Sequence, residues 1–416
     1  MISVPNLPPE KTNLQHLLGI PVIVAALGYF VDIYDLLLFG IVRIESLKSM
    51  GLSNAELSST GTAILNWQMT GLLVGGILWG VLGDKKGRLS VLFGSILTYS
   101  VANICCGFVT DPTVYKLLRF TAGVGLAGEL GAGITLVSEI LPKRLRAIGT
   151  SLVAGIGLCG AVVAYFTVKM FSWRHAYFIG GGLGICLLLL RLGVFESGMF
   201  STIKHETNVR KGDFFAFFTN KRRFVTYLKC IAIGLPTWFV IGILSTFSNE
   251  FGEALGSTKP IVPGLSIMWC YVGLSVGDLT SGMLSHGLHS RKKAVALLMF
   301  ISLVGSVLYL FAGFKNPTMI YGLCLLMGIG IGYWAMFVTI SAEQFGTNLR
   351  ATAATTVPNM VRGTVVLMTS LYAFAKPSVG VLYAAAIVGV IAYALGFYAT
   401  LTIPETHDKD LDFLEE

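Results

Sequence analysis

Two aspartates three residues apart, Asp32 and Asp35, interrupt the apolar run YFVDIYDLLLFG at positions 29–40. On a helix this spacing puts both carboxylates on one face, with Tyr34 beside them. A carboxylate at the centre of a bilayer costs roughly 2.5 to 3.5 kcal/mol on insertion scales, so an ionisable group there marks a functional site by default. Two close carboxylates in low dielectric cannot both ionise cheaply, which is the property a proton carrier needs. The competing reading is a buried acid that caps a kink or pairs with a neighbouring helix. Three further charges stand in apolar surroundings: Arg119, Glu129 and Arg362. Glu129 lies ten residues beyond Arg119, about 15 Å along a helix axis, and reads as a second protonation or substrate contact, or as the partner of another helix. Arg119 needs a carboxylate partner unless it snorkels to the headgroups. Arg362, between VPNMV and GTVV, offers a rigid fork suited to a carboxylate. It is the candidate anchor for an anionic substrate; an internal ion pair with Asp32, Asp35 or Glu129 is the alternative, and substrate and aspartate can compete for it. Asn66, Gln68, Trp238, Tyr333 and Trp334 are candidate polar contacts and aromatic walls of a cavity, though for each alone packing against a neighbouring helix or an interfacial belt is the better explanation.

The elements that must hold these residues are membrane helices. Of 416 residues 54% are hydrophobic and 12% charged, with mean hydropathy +0.74, against about 25% charged in a soluble domain. Segments long enough to cross a bilayer recur at 19–41, 60–83, 89–109, 113–139, 146–168, 173–196, 224–247, 261–284, 293–313, 316–341, 350–375 and 378–403. The expected fold is therefore all-α and polytopic, with twelve transmembrane helices in two six-helix bundles. The first run has no basic leader or cleavage site and reads as a retained span. The net charge of +8 sits in short connections and not in an aromatic-interleaved patch, which argues against nucleic acid. Of the 30 Lys and Arg, 18 fall in connections and tails on one side and 8, Arg43 included, on the other. Both termini are then expected in the cytoplasm, in a plasma or bacterial inner membrane; Arg191 and Lys229 would lie near the inner headgroups. The seven cysteines have neither metal nor disulfide spacing and read as small core residues. No nucleophile–base pair or metal cluster is visible, so neither an enzyme nor a cofactor nor a metal is expected.

The longest polar interval, 197–223, divides the chain into residues 1–196 and 224–416, and its phenylalanines Phe214, Phe215, Phe217 and Phe218 read as an interfacial amphipathic piece. An internal repeat links the halves. SEILPKRLRAIGTSLV and AEQFGTNLRATAATTV each separate a Glu from an Arg by seven, as Glu139 to Arg146 and Glu343 to Arg350, at an offset of 204; GVLGDKKGR at 80–88 parallels GMLSHGLHSR at 282–291 more weakly. Related six-span halves are a signature of transporters that rock around a midplane site. Small residues in GVGLAGELGAG favour close helix approach and follow no strand, so they are not a dinucleotide fingerprint.

GVLGDKKGR, with Gly80, Leu82, Gly83, Asp84, Gly87 and Arg88 in register, resembles the loop signature of the major facilitator superfamily, and RFTAGVGLAGELGAG resembles the fourth-span motif of its proton-coupled members. DIYDLLLFG and AGELGAG are similar to segments of the metabolite:proton symporters, with Asp32 where these have Glu. NMVRG and the paired aspartates resemble the aromatic acid:proton symporters, and the closing PET resembles sugar porters. The resemblance covers essentially the whole chain. It implies Asp35 as the proton site, with Asp32 modulating it or touching substrate, and a first-span aspartate as the partner of Arg119. Asp84, Gly87, Arg88, Glu139, Arg146, Glu343 and Arg350 would form an inner latch of ion pairs. The expected function is a monomeric symporter importing a small organic acid or zwitterionic metabolite with protons; a proton-driven exporter of drugs or metabolites is the alternative.

Overall fold

The computed structural model describes residues 19–86, 88–129, 141, 146–196 and 214–406, and all regular structure among them is helical. Nine stretches of the described residues are long and apolar enough to cross a membrane. One of them, Thr352–Thr402, has 51 residues and is two helices, parted at Gly380 by a φ of +82° that only glycine adopts freely. The eighth helix, Pro263–Leu288, adds 26 residues, about 39 Å of helix.

Three expected spans are interrupted. The seventh runs as α-helix over Lys221–Phe239 and as π-helix over Val240–Ser245; Pro236, with no N–H to donate, upsets the ladder just before the change. The tenth stops at Ile331 and resumes at Trp334, because Gly332 lies on the backbone of Gly277 and Asp278. The eleventh, Thr347–Gly363, breaks at Thr364 before continuing from Val365. The helix Pro112–Leu126 of the fourth span likewise ends in a turn at Ala127 and Gly128, the counterpart of Gly332 at the repeat offset of 204.

The repeat extends to caps and crossings. Asp111 accepts from the amides of Thr113 and Val114, with Pro112 next in the chain, and Asn316 accepts from Thr318, with Pro317 next. The second span, in helix Asn54–Lys86, crosses the fourth with Gly71 and Gly75 against the carbonyls of Phe120 and Val124, and with Gly123 against that of Gln68. The eighth crosses the tenth with Gly273 and Gly277 against Leu325 and Ile329, and with Gly328 against Cys270. These backbones approach so closely that a methyl group forces them apart. Gly123→Ala and Gly328→Ala are each expected to cost about 1 to 3 kcal/mol by overpacking. Thermal unfolding in detergent should show both, while Gly182→Ala and Gly322→Ala, where a Cβ meets nothing within 4 Å, leave the midpoint unchanged or raised.

The first helix, Ile20–Ser49, packs on the fifth, Arg146–Met170, and the sixth, Trp173–Glu196; the first and fifth also meet the eighth, and the second meets the eleventh. On the outer face, as the charge count assigns it, polar bonds tie the helices before residue 197 to those after 213. Arg43, expected in an outer connection, is instead buried in the first helix, where its aliphatic stem packs and its head finds acceptors. It donates to the Thr246 carbonyl (3.1 Å) and Asn249 Oδ1 (3.0 Å) and lies over the Phe247 ring. Glu250 accepts from Ser58 Oγ (2.6 Å), Tyr372 OH (3.0 Å) and Lys376 Nζ (2.6 Å). Burial pushes the Glu250 carboxyl up, but the bonds from Lys376 and Ser58 with the field of Arg43 outweigh it and hold it below the usual carboxylate range. Such a depressed group stabilises above its unfolded pKa and stops doing so as pH falls through its folded value. The stability gap between wild type and Glu250→Gln is therefore expected to stay constant from about pH 8 to pH 5 and to close only in stronger acid. A gap that closes near neutrality in thermal melts would contradict this.

Candidate functional site

The centre of the molecule is an ion pair between the halves of the chain. Arg362 Nη2 stands 3.6 Å from Asp32 Oδ2, both side chains essentially without solvent exposure. Arg362 sits one residue before the end of its helix. Its Nη1 reaches Asn359 Oδ1 at 3.5 Å, and its guanidinium lies 6.0 Å from the centre of the Trp238 ring. Asn359 donates to the carbonyls of Ala127 (2.9 Å) and Thr355 (3.1 Å), tying the eleventh span to the turn in the fourth. A 3.6 Å contact is too long for a good hydrogen bond. Neither carboxylate oxygen of Asp32 has a hydrogen-bond partner among the described residues, and the same holds for Asp35.

Arg119 departs from expectation. Its partner is not an aspartate carboxylate: Nη1 donates to Asn103 Oδ1 (2.7 Å), Nε to Gln68 Oε1 (3.3 Å) and Nη2 to the main-chain carbonyl of Asp35 (3.1 Å). Neutral acceptors satisfy the guanidinium and leave the Asp35 carboxylate in its field but unbonded. Gln68 also donates to the Leu36 carbonyl (2.9 Å), so it serves this network. Tyr34 donates to the Ala176 carbonyl (2.9 Å), and Gly180 lacks a side chain where the Asp35 carboxylate and the Tyr34 ring lie.

Glu129 forms a two-pronged pair with Arg191 of the sixth helix, buried under Gly28. Arg191 is thus not at the inner headgroups; an unbonded Glu129 inside the bundle costs more than drawing the guanidinium inward. Arg191→Met is expected to lower stability by about 3 to 5 kcal/mol, and adding Glu129→Gln to recover most of it. Thermal melts of the single and double variants test this; additive losses would contradict it.

The other candidates are dispersed. Asn66 accepts from Thr369 Oγ1 (2.5 Å). The Trp238 and Trp334 rings meet edge to face at 6.5 Å. Tyr333 is fully buried and donates to the Ile233 carbonyl (3.1 Å), so it pins the tenth span to the seventh. At the other end of the helices, Glu343 pairs with Arg291, while Glu405 of the PET sequence accepts from Ser290 and the Arg291 amide. The repeat had coupled Glu343 with Arg350 seven residues on; spatially it meets Arg291, the counterpart of Arg88. Gly87 and Glu139 lie outside the described residues, and of Asp84, Arg88 and Arg146 only the helical backbone is described. In the 214–218 stretch Phe214 and Phe217 are buried, Phe217 against Tyr227 and Phe345, and only Phe215 and Phe218 face outward. Cys105, Cys159 and Cys186 face outward too, unlike the buried Cys106, Cys230, Cys270 and Cys324.

The sequence reading passes over one acid. Asp278, in the apolar stretch YVGLSVGDLTSGML, carries the same signal as Asp32. Its Oδ1 accepts from the Ala335 amide (3.0 Å) at the start of the resumed tenth span, and its Oδ2 is shielded from solvent without a hydrogen-bond partner among the described residues. Tyr29 lies in the combined field of Arg362, Asp32 and Asp278, with the Trp334 indole beside its hydroxyl.

The sequence profile of the Major Facilitator Superfamily matches residues 25–361. A gentisate transporter of Corynebacterium glutamicum is 25% identical over 77% of this chain and 73% of its own length. A probable 4-methylmuconolactone transporter of Cupriavidus pinatubonensis is 25% identical over 94% and 91%. The sialic acid transporter NanX of Escherichia coli is 25% identical over 81% and 82%. A profile match over most of the chain, on two sets of repeated helices around buried charges, makes this protein a member of the Major Facilitator Superfamily, an integral membrane transporter of small metabolites.

Proposed function

We propose that the protein is a proton-coupled symporter that imports a small organic acid through the bacterial inner membrane. It works as a monomer with both termini cytoplasmic, and residues 1–196 rock against 224–416 about the 197–223 linker. The observation that carries this reading is the Asp32–Arg362 pair: a charge bridge between the halves, long at 3.6 Å, with the carboxylate oxygens free of hydrogen bonds among the described residues. In the empty site Asp32 balances Arg362. An incoming carboxylate displaces it and takes both prongs of the fork, and a proton on the aspartates removes the charge thereby orphaned, since an unpaired buried charge is far costlier than a paired one. The Asp35 carboxylate, beside Arg119 but not bonded to its guanidinium, is the proton's seat. The substrates named for the relatives, among them gentisate and sialic acid, support an acid as cargo. The Arg43 and Glu250 bonds close the outer face and break when it opens, and Glu343–Arg291, a pair within the second half, belongs with Asp84, Gly87, Arg88, Glu139, Arg146 and Arg350 to the inner latch.

Labelled gentisate in proteoliposomes separates import from export. Acidifying the outside is expected to raise uptake above that at equal pH on both sides; expulsion of preloaded label by the same gradient would instead establish proton-driven export.

A further inference from the structure

We propose that Asp278 is a specificity-determining residue: it accepts a hydrogen bond from a hydroxyl or amino group on an aromatic acid whose carboxylate is held by Arg362. This rests on the reading of Arg362 as the carboxylate anchor. The two residues are joined by a closed run of contacts. Asp278 binds the Ala335 amide next to Trp334, Trp334 meets Trp238, and Trp238 lies beneath the Arg362 guanidinium. Tyr29 closes the ring from the first helix, lying in the fields of Asp278, Arg362 and Asp32 with its hydroxyl by Trp334. The aromatic cluster of Trp238, Trp334 and Tyr29 thus has a cation, Arg362, on one side and an acid, Asp278, on the other.

Capping does not account for this acid. One oxygen, Oδ1, satisfies the Ala335 amide, and serine or asparagine caps a helix as well. The second, Oδ2, is shielded from water and has neither donor nor cation bonded to it among the described residues. A buried acceptor without a partner is costly, and a donor on the cargo supplies one. The carboxylate is also rigidly set, because Gly277, the preceding residue, lies against Gly332 at the break in the tenth span. Rigid placement turns a polar contact into discrimination: a site built for a substrate hydroxyl penalises the analogue that lacks it.

The test is calorimetric titration of the purified full chain with two probes, benzoate and gentisate, which differ by two hydroxyl groups. The wild type is expected to bind gentisate about tenfold or more tightly than benzoate, the scale of one hydrogen bond to a charged group. In Asp278→Asn the amide oxygen keeps the Ala335 bond and an NH2 replaces Oδ2, turning acceptor into donor. The preference should fall to near parity with benzoate affinity held within about threefold. Asp278→Ser keeps a capping oxygen and deletes the second acceptor, and should give the same loss if the amide variant fails to fold. An unchanged preference in either folded variant, equal weakening of both probes, or no preference in the wild type would overturn the proposal. Arg362→Ala separates the two readings. If it leaves benzoate affinity unchanged, the anchor is wrong whatever Asp278 does. If it abolishes benzoate binding while Asp278→Asn keeps the gentisate preference, the anchor stands and only the role of Asp278 falls. Binding of neither probe by the wild type overturns both.

Discussion

Arg362→Ala is expected to abolish carboxylate binding, and Arg362→Lys to weaken it by about 1.5 to 3 kcal/mol, the range for a hydrogen bond to a charged group. Lysine keeps the charge and loses the fork, so the difference between the variants measures the geometric part of recognition. The large effect follows from the setting. The guanidinium is buried to 1% exposure, its contact with Asp32 is long at 3.6 Å, and its only other polar contact among the described residues is Asn359 at 3.5 Å. An arginine held so loosely has unspent hydrogen-bonding capacity for a ligand. Removing it also strands Asp32, which accepts no hydrogen bond among the described residues, so the variant must be paired with Asp32→Asn to separate lost binding from lost fold. Calorimetry on Arg362→Lys, Arg362→Ala and the double variant, each checked by melting, measures the effect. Authentic substrate affinity unchanged in folded Arg362→Ala would leave the ion pair as its only role.

The second large effect is expected at Asp35. Asp35→Asn should eliminate gradient-driven accumulation while preserving exchange of labelled for unlabelled substrate, because the amide imitates the protonated carboxyl at nearly the same volume. Volume matters here: Gly180 and the Tyr34 ring close on the carboxylate, leaving no room for a longer side chain. Arg119 should remain in place in this variant, since its bonds run to Asn103, Gln68 and the Asp35 main-chain carbonyl, none of which the substitution removes. Loss of exchange together with accumulation would mean that Asp35 maintains the structure, and retained accumulation would remove it as the carrier.

Residues that announce themselves by charge were legible in one dimension. Asp32, Asp35 and Arg362 stand out because lipid makes any ionisable group in an apolar run conspicuous, and they converge in space. The repeat was legible at Glu139 and Glu343, 204 residues apart, and the structure carries it, at offsets of 202 to 205, into the caps at Asp111 and Asn316 and into the glycine crossings. What remained hidden follows two physical rules. Neutral partners such as Asn103 and Asn359 raise no hydropathy signal, so the acceptors that take Arg119 and Arg362 were invisible. Position along a helix also fixes depth but not the direction of a long side chain: Arg191 lies near a helix end, and its stem carries the charge inward to Glu129. Asp278 had the same signature as Asp32, but the nearby loop motif drew the reading of that helix away from it. Breaks in the tenth and eleventh spans could not be read because they arise from contacts between helices, as Gly332 against Gly277 illustrates.

The coupling of cargo to protons is tested most directly by vesicles containing purified protein and a trapped pH dye, given gentisate outside with no imposed gradient. The lumen is expected to acidify with gentisate entry faster than in protein-free vesicles, and Asp35→Asn vesicles are expected to exchange the label without acidifying. Gentisate entry with an alkalinising or unchanged lumen in the wild type would contradict symport.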